Sequence, residues 1–318
     1  MSEPQSASER SAALRPLLAL ALAFVLAACG DDGPSREEAM SAVATEVGVP
    51  SFEGVSANNG EVASAVDAAC AAPDARTLGD AVEAIDAARR SWLRSQAVWM
   101  GPAMERRSAG RIDWVVDSAG IEELVAGAEE LTPELVAEAV GSDNRGLRSL
   151  RSVLTRDDAA DLLADQRWCA YLTSTAAVVA AEGRALFEEW RSFSAELTGD
   201  EVNDWLAMLV NDAVQTVKAT TTEPSTEGDA PVEDPAVDRV AQLQGVAAVM
   251  TRLGPLLCDE LDQRLQDALA EAMGGYESGD VEQGRARAKE VERLLTADVA
   301  GKLGVTIGFS DADGDGSG

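Results

Sequence analysis

Histidine is absent from the 318-residue chain. That absence removes Ser-His-Asp and Cys-His nucleophilic sites, His-ligated zinc and the HExxH peptidase helix together. Lysine is nearly absent as well, occurring at Lys218, Lys289 and Lys302 only, so the 26 basic residues are almost all arginine. They face 56 acidic residues, for a formal net charge of −30. Such a surface repels nucleic acid and anionic lipid headgroups, so no nucleic-acid partner is expected, and the acidity reads as serving solubility or a salty habitat. Aromatic residues are scarce at 4 %, and most tryptophans fall on apolar helical stripes, where they read as core. Trp114 is the exception, set beside Asp113 in a stretch without regular periodicity.

Long apolar runs are also missing, apart from residues 17–28, "LLALALAFVLAA", which follow Arg10 and Arg15 and are too short for a stable membrane span. Residues 1–28 therefore read as an export signal. The run closes on "LAAC", and small residues before Cys29 resemble the bacterial lipobox, in which the cysteine is acylated and becomes the mature N-terminus. The expectation is a lipid-anchored envelope protein held to a bilayer through Cys29, with a short tether over 29–35 and a folded domain over 36–318. Cys70, Cys169 and Cys258 remain in a compartment where disulfides persist. Cys169 belongs to an inward-facing helical seam and Cys70 ends another, whereas Cys258 lies past a break at Gly254-Pro255, so Cys70–Cys169 is the favoured pair. Closing so long a loop contributes about 4–5 kcal/mol on a chain-entropy account.

Helical periodicity dominates what is present, and the fold class reads as all-α. Helices are expected over 36–47, 56–72 and 77–104, the last with Leu78, Val82, Ile85, Trp92 and Trp99 on one stripe. An irregular stretch follows, then helices from 121, over 132–141 behind Thr132-Pro133, over 145–154, over 157–193 and over 199–220. Residues 221–236, "TTEPSTEGDAPVEDPA", read as an acidic loop within the domain rather than a domain linker. Two or three further helices fill 237–303.

One helix carries an oddity. "NRGLRSLRSVLT" (144–155) sets Arg145, Arg148 and Arg151 at three-residue intervals beside Leu147, Leu150, Val153 and Leu154. On a helical wheel only Arg151 borders the apolar arc, leaving Arg145 and Arg148 in water or paired to surface acids unless another element covers them. A second candidate is "DADGDG" near the end, where Asp311, Asp313 and Asp315 stand in the order that opens an EF-hand loop, with Gly316 at the turn. The bidentate acid at the twelfth loop position is lacking, so this reads as no more than a weak calcium or iron candidate in a flexible acidic terminus. Acidic pairs such as Glu122-Glu123 and Glu188-Glu189 follow from composition and carry no assigned role.

Several segments together resemble the imelysin-like family, exported or lipid-anchored helical proteins of bacterial envelopes that include insulin-cleaving metalloproteases and relatives of a periplasmic iron-uptake component. "AACAAPDARTLGDAVEAIDAARRSWLRSQAVWMGPAMERRSAGRIDWVV" is similar to the family's first helix pair and following turn; "RWCAYL" and the helix after it, and the end "LGVTIGFSDADGD", match further segments. The resemblance implies two four-helix-bundle-like lobes with a cleft between them. "RGLRSLRSVL" occupies the place of the family's Gly-x-His-x-x-Glu motif: Gly146 keeps the glycine, but Arg148 stands at the histidine position and Arg151 at the glutamate position. Guanidinium has no lone pair to donate and repels a divalent ion, which argues against metallopeptidase chemistry there. Arginines in a cleft suit an anion instead, a carboxylate, phosphate or anionic chelate. Arg107, Asp113 and Trp114 are then further cleft candidates. The resemblance thus favours a non-catalytic envelope protein that binds a small ligand or an envelope partner, linked to metal or iron acquisition. The competing readings are a divergent peptidase working through carboxylates alone and a structural surface lipoprotein.

Overall fold

A computed structural model describes residues 33–195, 201–222 and 235–308. Residues 1–28, Cys29, most of the acidic loop 221–236, and Asp311, Asp313 and Asp315 lie outside the described residues. No strand occurs among those described, in keeping with the all-α class. None of the described helices is long and apolar enough to cross a membrane.

The first helix runs without a break from α1 (Arg36–Val43) through a π turn (Ala44–Gly48) into α2 (Val49–Ala71). Two separate helices over 36–47 and 56–72 are therefore not what forms. Pro50 sits in the first turn after the π segment, where its missing N–H costs least, and the widened turn absorbs the residue that would otherwise break the helix. Asp74 then caps α3 (Ala75–Ser95) in a reciprocal capping box with Thr77. The helix expected to reach residue 104 stops nine residues earlier, followed by a 3-10 turn (Gln96–Val98) and short α4 (Pro102–Glu105) and α5 (Ala109–Ile112). Next come α6 (Ser118–Ala126), α7 (Pro133–Glu138), α8 (Leu147–Leu154), α9 (Ala159–Leu162) and α10 (Gln166–Phe193), the longest element in the set.

Helices α2, α3 and α10 pack side by side, with α8 and the short elements completing a first lobe. The second lobe is made of α11 (Val202–Thr221), α12 (Pro235–Leu253), α13 (Asp259–Glu277) and α14 (Val281–Arg293), the last continuing through a π turn (Leu294–Val299) to α15 (Ala300–Leu303), with α1 packed on α11 and α12. One continuous apolar core runs through both lobes, from Phe52, Trp92 and Trp190 to Leu243, Met250 and Tyr276. The lobes meet where α12 crosses α3 and α11 meets the 3-10 turn. At Gly245 α12 lies against the backbone carbonyl of Arg94, so close that a Cβ has no room. Cys70 and Cys169 form a disulfide across 99 residues, joining the end of α2 to the start of α10, with Cα atoms 5.6 Å apart. Cys258 is a free, half-buried thiol.

Candidate functional site

The site is built on α8. Its first residue is Leu147, because Gly146 adopts φ +102°, and a Cβ there would lie 2.9 Å from the Ile112 carbonyl oxygen. The helix expected from Arg145 is thus shortened, and the three arginines do not form one helical stripe. Arg145 precedes the helix in extended conformation and its Nη1 donates to the carbonyls of Val136 (2.8 Å) and Ala137 (2.6 Å) near the end of α7. From α10, the Tyr171 hydroxyl donates to the Asn144 carbonyl (2.9 Å), fixing the approach to Gly146. Leu147, Leu150, Val153 and Leu154 turn into the core, leaving Arg148 and Arg151 half-buried on the other side.

Both arginines meet carboxylates. Arg151 Nε donates to Asp86 on α3 (2.8 Å). Arg148 Nε donates to one oxygen of Asp113 (3.2 Å), whose other oxygen accepts from Nε of Arg89 on α3 (3.2 Å). Arg89 Nη1 reaches across to Asp238 at the start of α12 (2.7 Å). The Arg89 and Asp113 side chains are only 3 % and 4 % exposed, whereas Arg148 remains 31 % exposed. Burial works against the charge on Arg89, but Asp113 and Asp238 prevail and raise its pKa. For Asp238 burial prevails and lifts the carboxyl above its usual range, despite the attraction of Arg89. The chain Arg148–Asp113–Arg89–Asp238 joins the two lobes with balanced charge.

A second buried carboxylate lies on the other side of the irregular stretch. Glu182 of α10 accepts a bidentate pair from Arg106 (2.9 and 2.7 Å) and a hydroxyl bond from Ser108 (2.8 Å), with Arg111 at 3.4 Å. Burial disfavours its charge, yet these donors win and hold its pKa below the ordinary value. Burial and the nearby Arg111 cation lower the pKa of Arg145. Of the sequence candidates, Asp113 and Arg148 thus meet, and Arg151 of the same helix meets Asp86 on α3. Trp114 is next to them and 45 % exposed, Arg107 is exposed with a left-handed φ of 53°, and Arg145 serves α7.

Asp86, Arg89, Asp238 and Glu182 are site residues that the sequence reading passed over. A signal existed for the first two: "AIDAARRSW" places Asp86 and Arg89 three apart beside Ile85 and Trp92 on the apolar stripe of α3. Nothing local marks Asp238 or Glu182. Arg148 and Arg151 do not fit a metal ion, and no group of three or more Cys, Asp or Glu side chains converges as a metal site among the described residues.

The sequence model of the Imelysin family matches residues 48–287. No curated protein matches the chain. Two solved structures share its fold. An imelysin-like protein from Psychrobacter arcticum 273-4 is similar at 16 % identity with a TM-score of 0.73, over 87 % of this chain and 98 % of that one. An iron-regulated protein A precursor from Parabacteroides distasonis ATCC 8503 is similar at 14 % identity with a TM-score of 0.60, over 86 % and 96 % of the two chains.

Proposed function

We propose, from the premise that this chain belongs to the imelysin family, that it is a non-catalytic binding protein of the cell envelope, lipid-anchored through Cys29, which takes an anionic ligand at Arg148. The observation that carries this reading is the pairing of Arg148 with Asp113 and of Arg151 with Asp86 at the two positions of the family's metal motif. Neither guanidinium can ligate a metal, and both oxygens of Asp113 already accept from arginines, so no donor set for a divalent ion remains there. Among the described residues Arg148 spends only its Nε, on Asp113, which leaves its terminal N–H groups to a carboxylate, a phosphate or an anionic iron chelate. A link to iron is suggested by the name of the Parabacteroides relative.

Calorimetry of the mature domain against phosphate, citrate and ferric citrate tests this reading. Losing charge-assisted hydrogen bonds of about 1.5–3 kcal/mol in Arg148→Ala weakens binding by about tenfold or more. Unchanged affinity in that variant overturns the site. Proteolysis by the purified protein that a chelator abolishes overturns the non-catalytic assignment.

A further inference from the structure

The stretch between α5 and α6 is extended at both ends, with Asp113 at φ −148°, ψ 102° and Asp117 at φ −107°, ψ 95°. Both ends are fixed. Asp113 is gripped by Arg89 and Arg148; the Asp117 N–H donates to the Asp143 carbonyl (2.9 Å), and its side chain caps Gly120 (3.1 Å). Between these ends the backbone N–H and C=O groups of Trp114, Val115 and Val116 have no hydrogen-bond partner among the described residues. Their neighbours Ile112 and Val116 are buried, but Trp114 and Val115 stand 45 % and 40 % exposed, unusual for large apolar side chains on a chain this polar. The stretch runs beside α8: Asp113 lies against Arg148, and Ser118 borders a cavity of about 340 Å³ with Ser152, Thr155 and Trp168. The cations at its Asp113 end are the half-buried guanidinium groups of Arg111 and Arg148, each with an acidic partner on one side.

We propose that residues 113–117 and the adjoining face of α8 form a docking edge for an extended peptide segment of a partner protein, with an acidic residue at the Arg148 end and apolar side chains against Trp114 and Val115. An extended occupant answers the row of unpaired backbone groups by strand pairing, and its carboxylate answers Arg148. Five extended residues span about 16 Å, so the edge reads a short segment. An exposed tryptophan near an arginine is the composition of an interface hot spot. A lipid surface offers no backbone partner to the unpaired N–H and C=O groups, so a peptide rather than a membrane is the occupant. The inference deepens the binding function proposed above and rests on it for Arg148, but not for Trp114.

An array of randomised hexapeptides probed with the full mature chain tests it, followed by amide exchange with the best binder and titration with phosphatidylglycerol vesicles and citrate. The expected binders are rich in Asp or Glu and β-branched residues. They slow exchange at the amides of residues 114–116, and they lose about tenfold or more in affinity with Trp114→Ala at unchanged melting temperature and with Arg148→Gln. A proline at the peptide centre abolishes binding. Absence of any Trp114-dependent peptide, protection elsewhere in the chain, or Trp114-dependent binding of vesicles in place of peptides overturns the docking edge. Citrate binding that needs Arg148, with no such peptide, leaves the anion site standing and removes only this inference.

Discussion

Arg89 sits between Asp113 and Asp238 almost out of reach of water, so its charge is worth most when it is taken away. Arg89→Ala leaves Asp238 without its arginine and Asp113 with Arg148 alone, and should cost about 3–5 kcal/mol in urea unfolding. The triple replacement Arg89→Met, Asp113→Asn, Asp238→Asn should recover much of that loss, because it removes the buried charges along with the attraction and leaves only the part-exposed Arg148 cation. Two buried acids respond to pH in opposite directions. Glu182 has a lowered pKa in the fold, so its contribution to stability is present above its ordinary value of 4.5 and disappears as pH falls through the folded value. Asp238 has a raised pKa, so acidification through the range just above its ordinary value of 3.8 relieves a cost. Stability of Glu182→Gln should therefore fall less steeply below pH 4.5 than that of the unmodified protein, and that of Asp238→Asn should lack the compensating gain. Urea midpoints measured from pH 7 downward check both slopes.

The start of α8 turns on one residue. Gly146→Ala forces a side chain into a left-handed backbone position and against the Ile112 carbonyl, so it should destabilise by about 1–3 kcal/mol in thermal or urea unfolding. It should also loosen the Arg148–Asp113 contact, visible as weaker citrate binding. Arg145, Arg148 and Arg151 looked like a stripe because their spacing is helical, and the glycine inside the motif was the sign that Arg145 lies outside the helix. The gap expected between residues 47 and 56 is helical instead. A π turn is a local rearrangement that residue spacing does not announce, so one long helix read as two. The Cys70–Cys169 pair was legible because Cys169 belongs to a periodic seam and Cys70 ends another, and the disulfide joins them.

At the scale of the molecule, helical content follows from local periodicity, whereas the way one lobe sits on the other does not. Asp238 meets Arg89 across 149 residues of sequence, and Gln242 donates to Gln96 across 146. No pattern within either segment encodes such a pair; it exists because α12 crosses α3 at Gly245. Gly245→Val places a branched side chain where the Arg94 backbone already stands, so the lobes should separate and differential scanning calorimetry should show two transitions in place of one.

The helix that threads both lobes also sets an order in time. Arg36, in its first turn, donates to Asn203 (2.6 Å) and to the carbonyl of Leu303 (2.7 Å), acceptors 167 and 267 residues further along. As the chain is delivered, α2 and α3 can pair early, but α1 must wait for the far end of the protein before its partners exist. The first residues to enter the fold are among the last to be secured.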